Sequence, residues 1–473
     1  MFVNKRDEIL IIGAGLCGSL LALRLAQRGY QQVTLVEKRS DLRLANLDAG
    51  RSINLALSDR GLTALKMAGM DQKALAIAIP MHGRMIHQQG YDSFFSPYSG
   101  NPDTAINSIS RPGLNALLLD AIDHHDNVTV HFDAPCVALD LELGRAEFQQ
   151  NSMDDKGNAT AESFSIESKV IFGCDGAGSL VRKTLQSQSK EGFDFSLDWL
   201  SHGYKELSIA PGADGEYQIR EDALHIWPRG EDMVIALPNL DKSFTVTLFM
   251  SHTREPHGFD HLKSDPQIRG YFQEKYPVLL ELIPDIVAQY QNNPTGPLGT
   301  IKCSPWNAHD KALIMGDAAH AIVPFYGQGM NASFEDVLVF DRLMDSGIDR
   351  WSELFDVFAN ERKKDADAIA NLALDNFYEM KEHTADPIFQ RKRAIEVRLE
   401  QERPMDYQSK YSMVTFKPEL SYHQAMTRGR AQDKAIEDLL RQNHLSEAQD
   451  LDQQLRLINE HTQSLLEQTK PND

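Results

Sequence analysis

Cysteine is scarce in this chain. The four residues, Cys17, Cys136, Cys174 and Cys303, are scattered through 473 positions with no CxxC spacing. That pattern excludes a disulfide framework or a cysteine-based zinc site and suits a reducing, cytoplasmic setting. His309 and His320 lack partners at metal-ligand spacing, so no metal is expected. Basic residues are outnumbered: 48 Lys and Arg against 68 Asp and Glu give a formal net charge of −20, which disfavours nucleic acid or an anionic membrane surface as a partner. A site for an anionic cofactor must then be locally basic. No apolar run approaches the roughly 20 residues that span a bilayer. No repeat, low-complexity linker or nucleophile motif is present either. What remains is an ordinary globular composition, 42% hydrophobic and 25% charged, in a chain long enough for two or three domains.

The N-terminus carries the first positive signal. Ile9-Leu10-Ile11-Ile12 runs into Gly13-Ala14-Gly15-Leu16-Cys17-Gly18, then an apolar helical stretch, then Val33-Thr34-Leu35-Val36-Glu37. This is the pattern of a βαβ dinucleotide-binding unit. Gly13 permits the tight turn, Gly15 lets a pyrophosphate approach the backbone, Gly18 allows close helix-to-strand packing, and Glu37 can accept hydrogen bonds from an adenosine ribose. Lys5-Arg6 before an apolar run also imitates a signal peptide, but the glycine spacing, Arg24 within the run and the terminal Glu37 fit a folded unit better.

Two more strand-to-helix turns follow. Residues 169–182 pass from Val170-Ile171-Phe172-Gly173 through Cys174-Asp175-Gly176 towards a helix, and residues 312–334 read ALIMGDAAHAIVPFYGQGMNASF. In the latter, Leu313-Ile314-Met315 reads as a buried strand, Gly316-Asp317 as its exit, and 324–329 as a loop whose Gln328, Gly329, Met330 and Asn331 open the next helix. A helix start beside glycine offers free N–H groups and partial positive charge to an anionic or carbonyl-bearing ligand.

These three segments are spaced as in the flavoprotein aromatic hydroxylases, which the chain resembles. Further segments sharpen this: Arg51-Ser52-Ile53-Asn54-Leu55-Ala56-Leu57-Ser58, His202-Gly203-Tyr204-Lys205-Glu206-Leu207, Leu224-His225-Ile226-Trp227-Pro228, Ile235-Ala236-Leu237-Pro238-Asn239 and Tyr411-Ser412-Met413-Val414-Thr415-Phe416 resemble the kynurenine 3-monooxygenase family over roughly residues 8–425. The resemblance implies FAD as cofactor, NADPH as transient electron donor with no Rossmann unit of its own, O2 and L-kynurenine as substrates, and 3-hydroxykynurenine as product through a flavin C4a-hydroperoxide. The flavin carries the hard step, so no side chain is assigned as catalytic. The same resemblance implies that Arg84, Tyr98, Asn376 and Tyr411 bind the substrate carboxylate. It also implies that Gly13, Gly15, Gly18, Glu37, Ala56, Arg111, the backbone at Cys136, Asp317, Gln328, Gly329, Met330 and Asn331 contact FAD. Residue type alone favours duller roles: an Arg between hydrophobic residues is more often an ion pair, and His202 and Tyr204 are read as packing residues. Tyr326 stands where relatives carry different aromatics. Other readings stay open: a flavin hydroxylase of another anthranilate-like or phenolic acid, or a flavin redox sensor without turnover. A halogenase is disfavoured by the absence of a WxWxIP segment.

The expected fold is α/β, a Rossmann-like FAD-binding domain with an inserted β-sheet substrate domain and a C-terminal helical region. The first part of the FAD domain is placed at 1–182, with 76–107 contributing to the substrate cavity, a β-rich substrate domain at 183–290, the second FAD part at 291–375, and helices at 376–473. A strand at 128–132 leads to a three-stranded meander turning at Asp155-Lys156-Gly157-Asn158, and further strands lie near 204–209, 222–227, 233–238 and 243–250. The insertion would supply the cavity wall opposite the flavin. Eukaryotic relatives carry a hydrophobic C-terminal anchor; here the tail from Ala431 reads as an amphipathic, soluble helical segment whose last dozen residues fray. Oligomeric state is not readable, a homodimer being compatible.

Overall fold

The computed structural model describes residues 2–44, 54–99, 103–153, 159–189, 192–308, 310–382, 387–446 and 448–468. Arg51, Ser52 and Ile53 of the sequence motif, the turn expected at 155–158, and His309 lie outside these. The chain forms two compact units, one of residues 1–77, 109–199 and 299–370, the other of 78–108, 200–298 and 371–473.

The first unit is organised by a six-stranded sheet in the order Asn307–Ala308, Ala312–Ile314, Val170–Gly173, Glu8–Ile12, Gln32–Val36, Val128–His131. All neighbours are parallel except the two-residue edge strand. Its central strands are continuous apolar runs because both faces of a parallel sheet are buried: Leu10, Ile11, Ile171, Phe172 and Leu313 are fully inaccessible. The register Ile12↔Gly173 and Gly173↔Ile314 brings the three glycine-rich turns to the same end of the sheet. That end is where an open α/β sheet binds ligands. The helix Leu16–Gln27 follows the first turn, and Gly329–Leu343 starts after Gln328, as the sequence anticipated. A three-stranded antiparallel meander, Cys136–Asp140, Arg145–Met153 and Ala159–Glu167, also forms as expected.

The second unit is built on an antiparallel meander of Ala223–Arg229, Asp232–Pro238, Phe244–Ser251 and the 202–209 half of Asp194–Ile209. Strand Gly83–Ile86 adds in parallel to Ala223–Arg229, and Phe94–Pro97 closes that edge. Within the span 183–290 read as β-rich, the expected strands end at Ser251, and Asp265–Lys275, Pro277–Leu282 and Ile286–Asn292 are helices. Ser264 and Gln267 form a capping box with Pro266 in the first turn, which starts the first of these helices. Ile268, Phe272, Leu279 and Ile286 of these helices share one core with Leu207, Val234, Val246 and Leu248 of the sheet. The C-terminal helices Pro387–Glu402, Tyr422–Arg441 and Leu451–Gln468 form a second core around Leu399, Tyr407, Ile436 and Ile458. Leu451–Gln468 stays helical through residues expected to fray, because Ile458 and Thr462 are buried one turn apart on its inner face. Among the described residues no helix is long and apolar enough to cross a membrane.

Candidate functional site

In the first unit each glycine of the N-terminal turn has a distinct physical reason. Gly13 sits at φ +105°, and a Cβ there would lie 2.4 Å from the Cys174 carbonyl oxygen. A Cβ on Gly18 would lie 2.0 Å from the Gly13 oxygen, so helix and turn touch backbone to backbone. Gly15 differs: no protein atom comes within 4 Å of where its Cβ would be. It caps the helix Leu16–Gln27, whose first turn carries no acidic residue and no capping side chain, which leaves N–H groups for an anion. These features fit a pyrophosphate. Glu37 follows the strand Gln32–Val36; its carboxylate accepts from the Ala14 N–H at 2.9 Å and from Arg39 Nε at 2.8 Å, tying strand end to turn.

The third turn is held by a network the sequence did not reveal. Asp336 accepts from the Gly316 N–H at 2.8 Å, from His320 Nε2 at 2.6 Å and from Arg362 Nε at 2.9 Å. Arg362 also donates to Glu335, which takes a second bond from Arg60. Burial opposes ionisation of Asp336, but His320 and Arg362 hold its carboxyl below the ordinary range. His320 thus has a buried carboxylate partner sixteen residues away, a separation that no local motif marks. Asp317 opens the short helix after Gly316; desolvation pushes its carboxyl up, opposed by the charge of nearby Arg111. Arg111 is the first residue of the helix Arg111–Ile122 and Pro112 the second, a position that dispenses with an N–H donor.

Asn331 acts through its side chain as well as its place in the first helical turn. Its Nδ2 donates to the carbonyls of Ala56 at 2.9 Å and Gly327 at 3.1 Å, and its Oδ1 accepts from the Ser58 N–H at 3.0 Å. The loop Pro324–Tyr326, with Gly327 in the left-handed region, is thereby fastened to the strand Asn54–Leu57. Gln328 is buried and precedes the helix Gly329–Leu343, whose first turn again lacks an acidic residue, so the Gly329 and Met330 N–H groups are available. Cys136 begins the meander; burial raises its thiol to about 12, which removes thiolate chemistry at neutral pH. Asp175 is used locally, accepting from Ser179 Oγ and the Leu180 N–H at the start of the helix Leu180–Gln188.

In the second unit the structure assembles three of the four substrate candidates. The Arg84 guanidinium lies 4.1 Å from the Tyr411 ring centre and 5.5 Å from that of Tyr98. The two tyrosine rings are stacked at 5.9 Å and 18°. Cation and aromatic faces attract electrostatically, which favours the guanidinium lying against these rings. Arg84 is carried by the strand Gly83–Ile86, which approaches the edge strand Phe94–Pro97 closely because Gly83 has no side chain; a Cβ there would lie 2.4 Å from the Ser96 oxygen. Burial pushes the Tyr98 hydroxyl well above its ordinary range, so it is a neutral donor facing Arg84 and Tyr411. Asn376 lies on the helix Trp351–Glu382, one turn before Glu379, which is bonded to the residue preceding Tyr411 at 2.8 Å. His202 packs edge-on against Phe377, 5.0 Å between ring centres, in keeping with a packing role.

The FAD binding domain family model matches residues 6–373. A kynurenine 3-monooxygenase of Myxococcus xanthus (strain DK1622) is 40% identical over 448 residues, 95% of this chain and 93% of that one. One from Dictyostelium discoideum is 38% identical over 94% and 95% of the two chains. The chain belongs to the kynurenine 3-monooxygenase family. Among solved structures, 2-methyl-3-hydroxypyridine-5-carboxylic acid oxygenase superposes with a TM-score of 0.62 at 20% identity, covering 81% of this chain and 95% of its own. Tetracycline destructase Tet(51) gives 0.57 at 17% identity over 84% and 96%. These likenesses show the shared α/β FAD-binding fold expected from the glycine turns. Membership of the kynurenine 3-monooxygenase family extends to both compact units, since the aligned regions cover nearly the whole chain.

Proposed function

We propose that this protein hydroxylates L-kynurenine to 3-hydroxykynurenine, consuming NADPH, a proton and O2 and releasing NADP+ and water. The observation that carries the substrate reading is Arg84, fixed against the stacked rings of Tyr98 and Tyr411 in a chain of this family. Kynurenine's amino-acid end bears a carboxylate, and a planar guanidinium binds it through two parallel, charge-assisted hydrogen bonds. The hydroxyls of Tyr98 and Tyr411 and the amide of Asn376 complete the recognition of that end, so that the aromatic ring is presented in a single orientation.

FAD, when bound, supplies electron acceptance from NADPH and activation of O2. For holding it, Gly13, Gly15 and Gly18 with the start of Leu16–Gln27 suit the pyrophosphate, Glu37 the ribose, and Arg111 with Asp317 the neighbouring polar groups. The backbone at Ala56, Cys136, Gln328, Gly329, Met330 and Asn331 suits the remaining polar edges, with the helix start at Gly329 offering N–H donors to ring carbonyls. The loop Pro324–Tyr326, with Tyr326 buried, would border the flavin ring. Four free cysteines accord with a cytoplasmic setting.

Arg84→Met keeps the apolar stem and removes the charge. Losing a charge-assisted bond of about 1.5–3 kcal/mol should raise the KM for L-kynurenine by roughly 10- to 150-fold. Turnover of 2-aminoacetophenone, which has the activated ring but no amino-acid end, should be unaffected. An unchanged KM for L-kynurenine in Arg84→Met overturns the carboxylate assignment.

A further inference from the structure

The helix that carries Tyr411, Lys410–Phe416, has only seven residues, too few to hold its position by helical hydrogen bonding alone. Phe416 at its end packs on the Tyr98 ring, 5.9 Å between ring centres, and a set of polar anchors stands at its start. Ser409 caps it, accepting from the Ser412 N–H at 3.3 Å, while the Ser409 N–H donates to Glu400 at 2.8 Å. Lys410 Nζ donates to Glu379 at 2.8 Å and to Asp433 at 2.7 Å. The stem of Lys410 is held just as closely: a Cβ on Gly429 would lie 2.6 Å from Lys410 Cγ and 2.7 Å from its Cβ, so the stem lies flat on the helix Tyr422–Arg441 where that helix has no side chain.

We propose that Lys410 is a positioning residue for substrate binding, its ammonium clamped between Glu379 and Asp433 so that the adjoining Tyr411 is presented to the Arg84 guanidinium. The proposal rests on the reading of Arg84 and Tyr411 as the carboxylate site. The Glu379 bond joins the Tyr411 helix to Trp351–Glu382 one turn beyond Asn376, and residues three apart share a helix face. A single cation thereby registers two of the polar groups assigned to the substrate. Lys410 does not itself bind the substrate carboxylate, because its ammonium is matched by two carboxylates in a nearly buried setting, 12% and 14% exposed for Lys410 and Asp433. Asp433 is further held by Lys392 at 3.1 Å, and the two lysines keep it ionised against the cost of burial, its carboxyl lowered to about 2. Asp433, held between two lysines, thus anchors Lys410 as one side of a fixed clamp.

A double-mutant cycle on the FAD-loaded enzyme tests this, with KM and kcat for L-kynurenine measured in the wild type, Lys410→Met, Tyr411→Leu and the double variant. Lys410→Met should raise KM roughly 5- to 10-fold with kcat within about two-fold, and should add less than about two-fold in the Tyr411→Leu background, the non-additivity expected when one residue acts through the other. Gly429→Ala, which displaces the Lys410 stem without removing a charge, should raise KM in the same direction, and Lys410→Arg should restore part of the loss. Gly429→Ala and Lys410→Arg also carry the test where Lys410→Met does not yield yellow, folded protein. Additive effects, or an equal fall of kcat and kcat/KM accompanied only by a lower melting temperature, overturn the proposal. If Arg84→Met and Tyr411→Leu leave KM unchanged, the carboxylate reading itself fails. If those two raise KM while Lys410→Met and Gly429→Ala do not, the Lys410 clamp alone is wrong.

Discussion

Glycines at positions 13 and 15, two residues apart, are expected to fail differently when a methyl group is added. At Gly13 the positive φ and the Cys174 oxygen 2.4 Å from the added carbon both oppose the change, so Gly13→Ala should destabilise the fold itself, by at least the roughly 1–3 kcal/mol of a residue held in a disfavoured backbone region. At Gly15 there is open space and an extended φ of −71° with ψ −177°, so Gly15→Ala should leave the melting temperature of the FAD-free protein unchanged. The added methyl would occupy the surface offered to the pyrophosphate, and the dissociation constant for FAD, read from flavin fluorescence, should rise at least about ten-fold, a 1.4 kcal/mol effect. Equal FAD affinity in Gly15→Ala and wild type would remove that surface from the cofactor site. The glycine code is legible from sequence because each missing Cβ answers a steric demand that spacing expresses. Arg84 is the opposite case: its type and neighbours suggest an ion pair, and only the resemblance separated it from other arginines. The aromatic faces that hold it come from residues 14 and 327 positions away, which no local pattern reports.

The strands around Arg84 also carry a chain of imidazoles. His225 Nε2 donates to the Arg220 carbonyl at 2.7 Å; with both rings neutral, His225 Nδ1 accepts from His87 Nε2 at 2.8 Å and His87 Nδ1 from Ser93 Oγ at 2.7 Å. His87 stacks on Trp227 at 4.3 Å and 7°. Desolvation lowers both imidazoles from 6.5 to about 4. Because the folded values lie below the unfolded one, the unfolded chain binds more protons between these limits, and stability falls as pH drops from 6.5 towards 4. The loss should be on the order of 1–3 kcal/mol, most of it from fully buried His225, since half-buried His87 is screened by water. His225→Gln keeps the size and hydrogen bonding without the titration, so its melting temperature should fall less steeply over that interval; parallel curves would show that the imidazoles do not set the slope. Elements with a single period were legible in the sequence: the parallel strands, the meander and the start of Gly329–Leu343. The helices in 265–292 were not, because short buried helices and short strands present the same apolar runs. The Asp336 and Lys410 networks were equally hidden, being charges buried among helices whose pairing depends on packing and not on spacing.

At the scale of the whole molecule, a net charge of −20 and a sparse set of cysteines exclude classes of function without naming one. The assignment comes from two kinds of site in one chain of the kynurenine 3-monooxygenase family: glycine-built turns suited to FAD in one compact unit, and an arginine held by two tyrosines in the other. Neither site alone specifies the reaction, because the same FAD-binding fold recurs in a pyridine-carboxylate oxygenase and a tetracycline destructase. The decisive measurement is NADPH oxidation by the purified FAD-loaded protein with and without L-kynurenine, with mass spectrometry of the product from the same reaction under 18O2. L-Kynurenine should accelerate NADPH oxidation, and the product should gain one oxygen atom carrying the 18O label at the ring 3-position. Acceleration that yields only hydrogen peroxide would make kynurenine an effector and point to another anthranilate-like acid as substrate, and no acceleration at all would leave a flavoprotein without this activity.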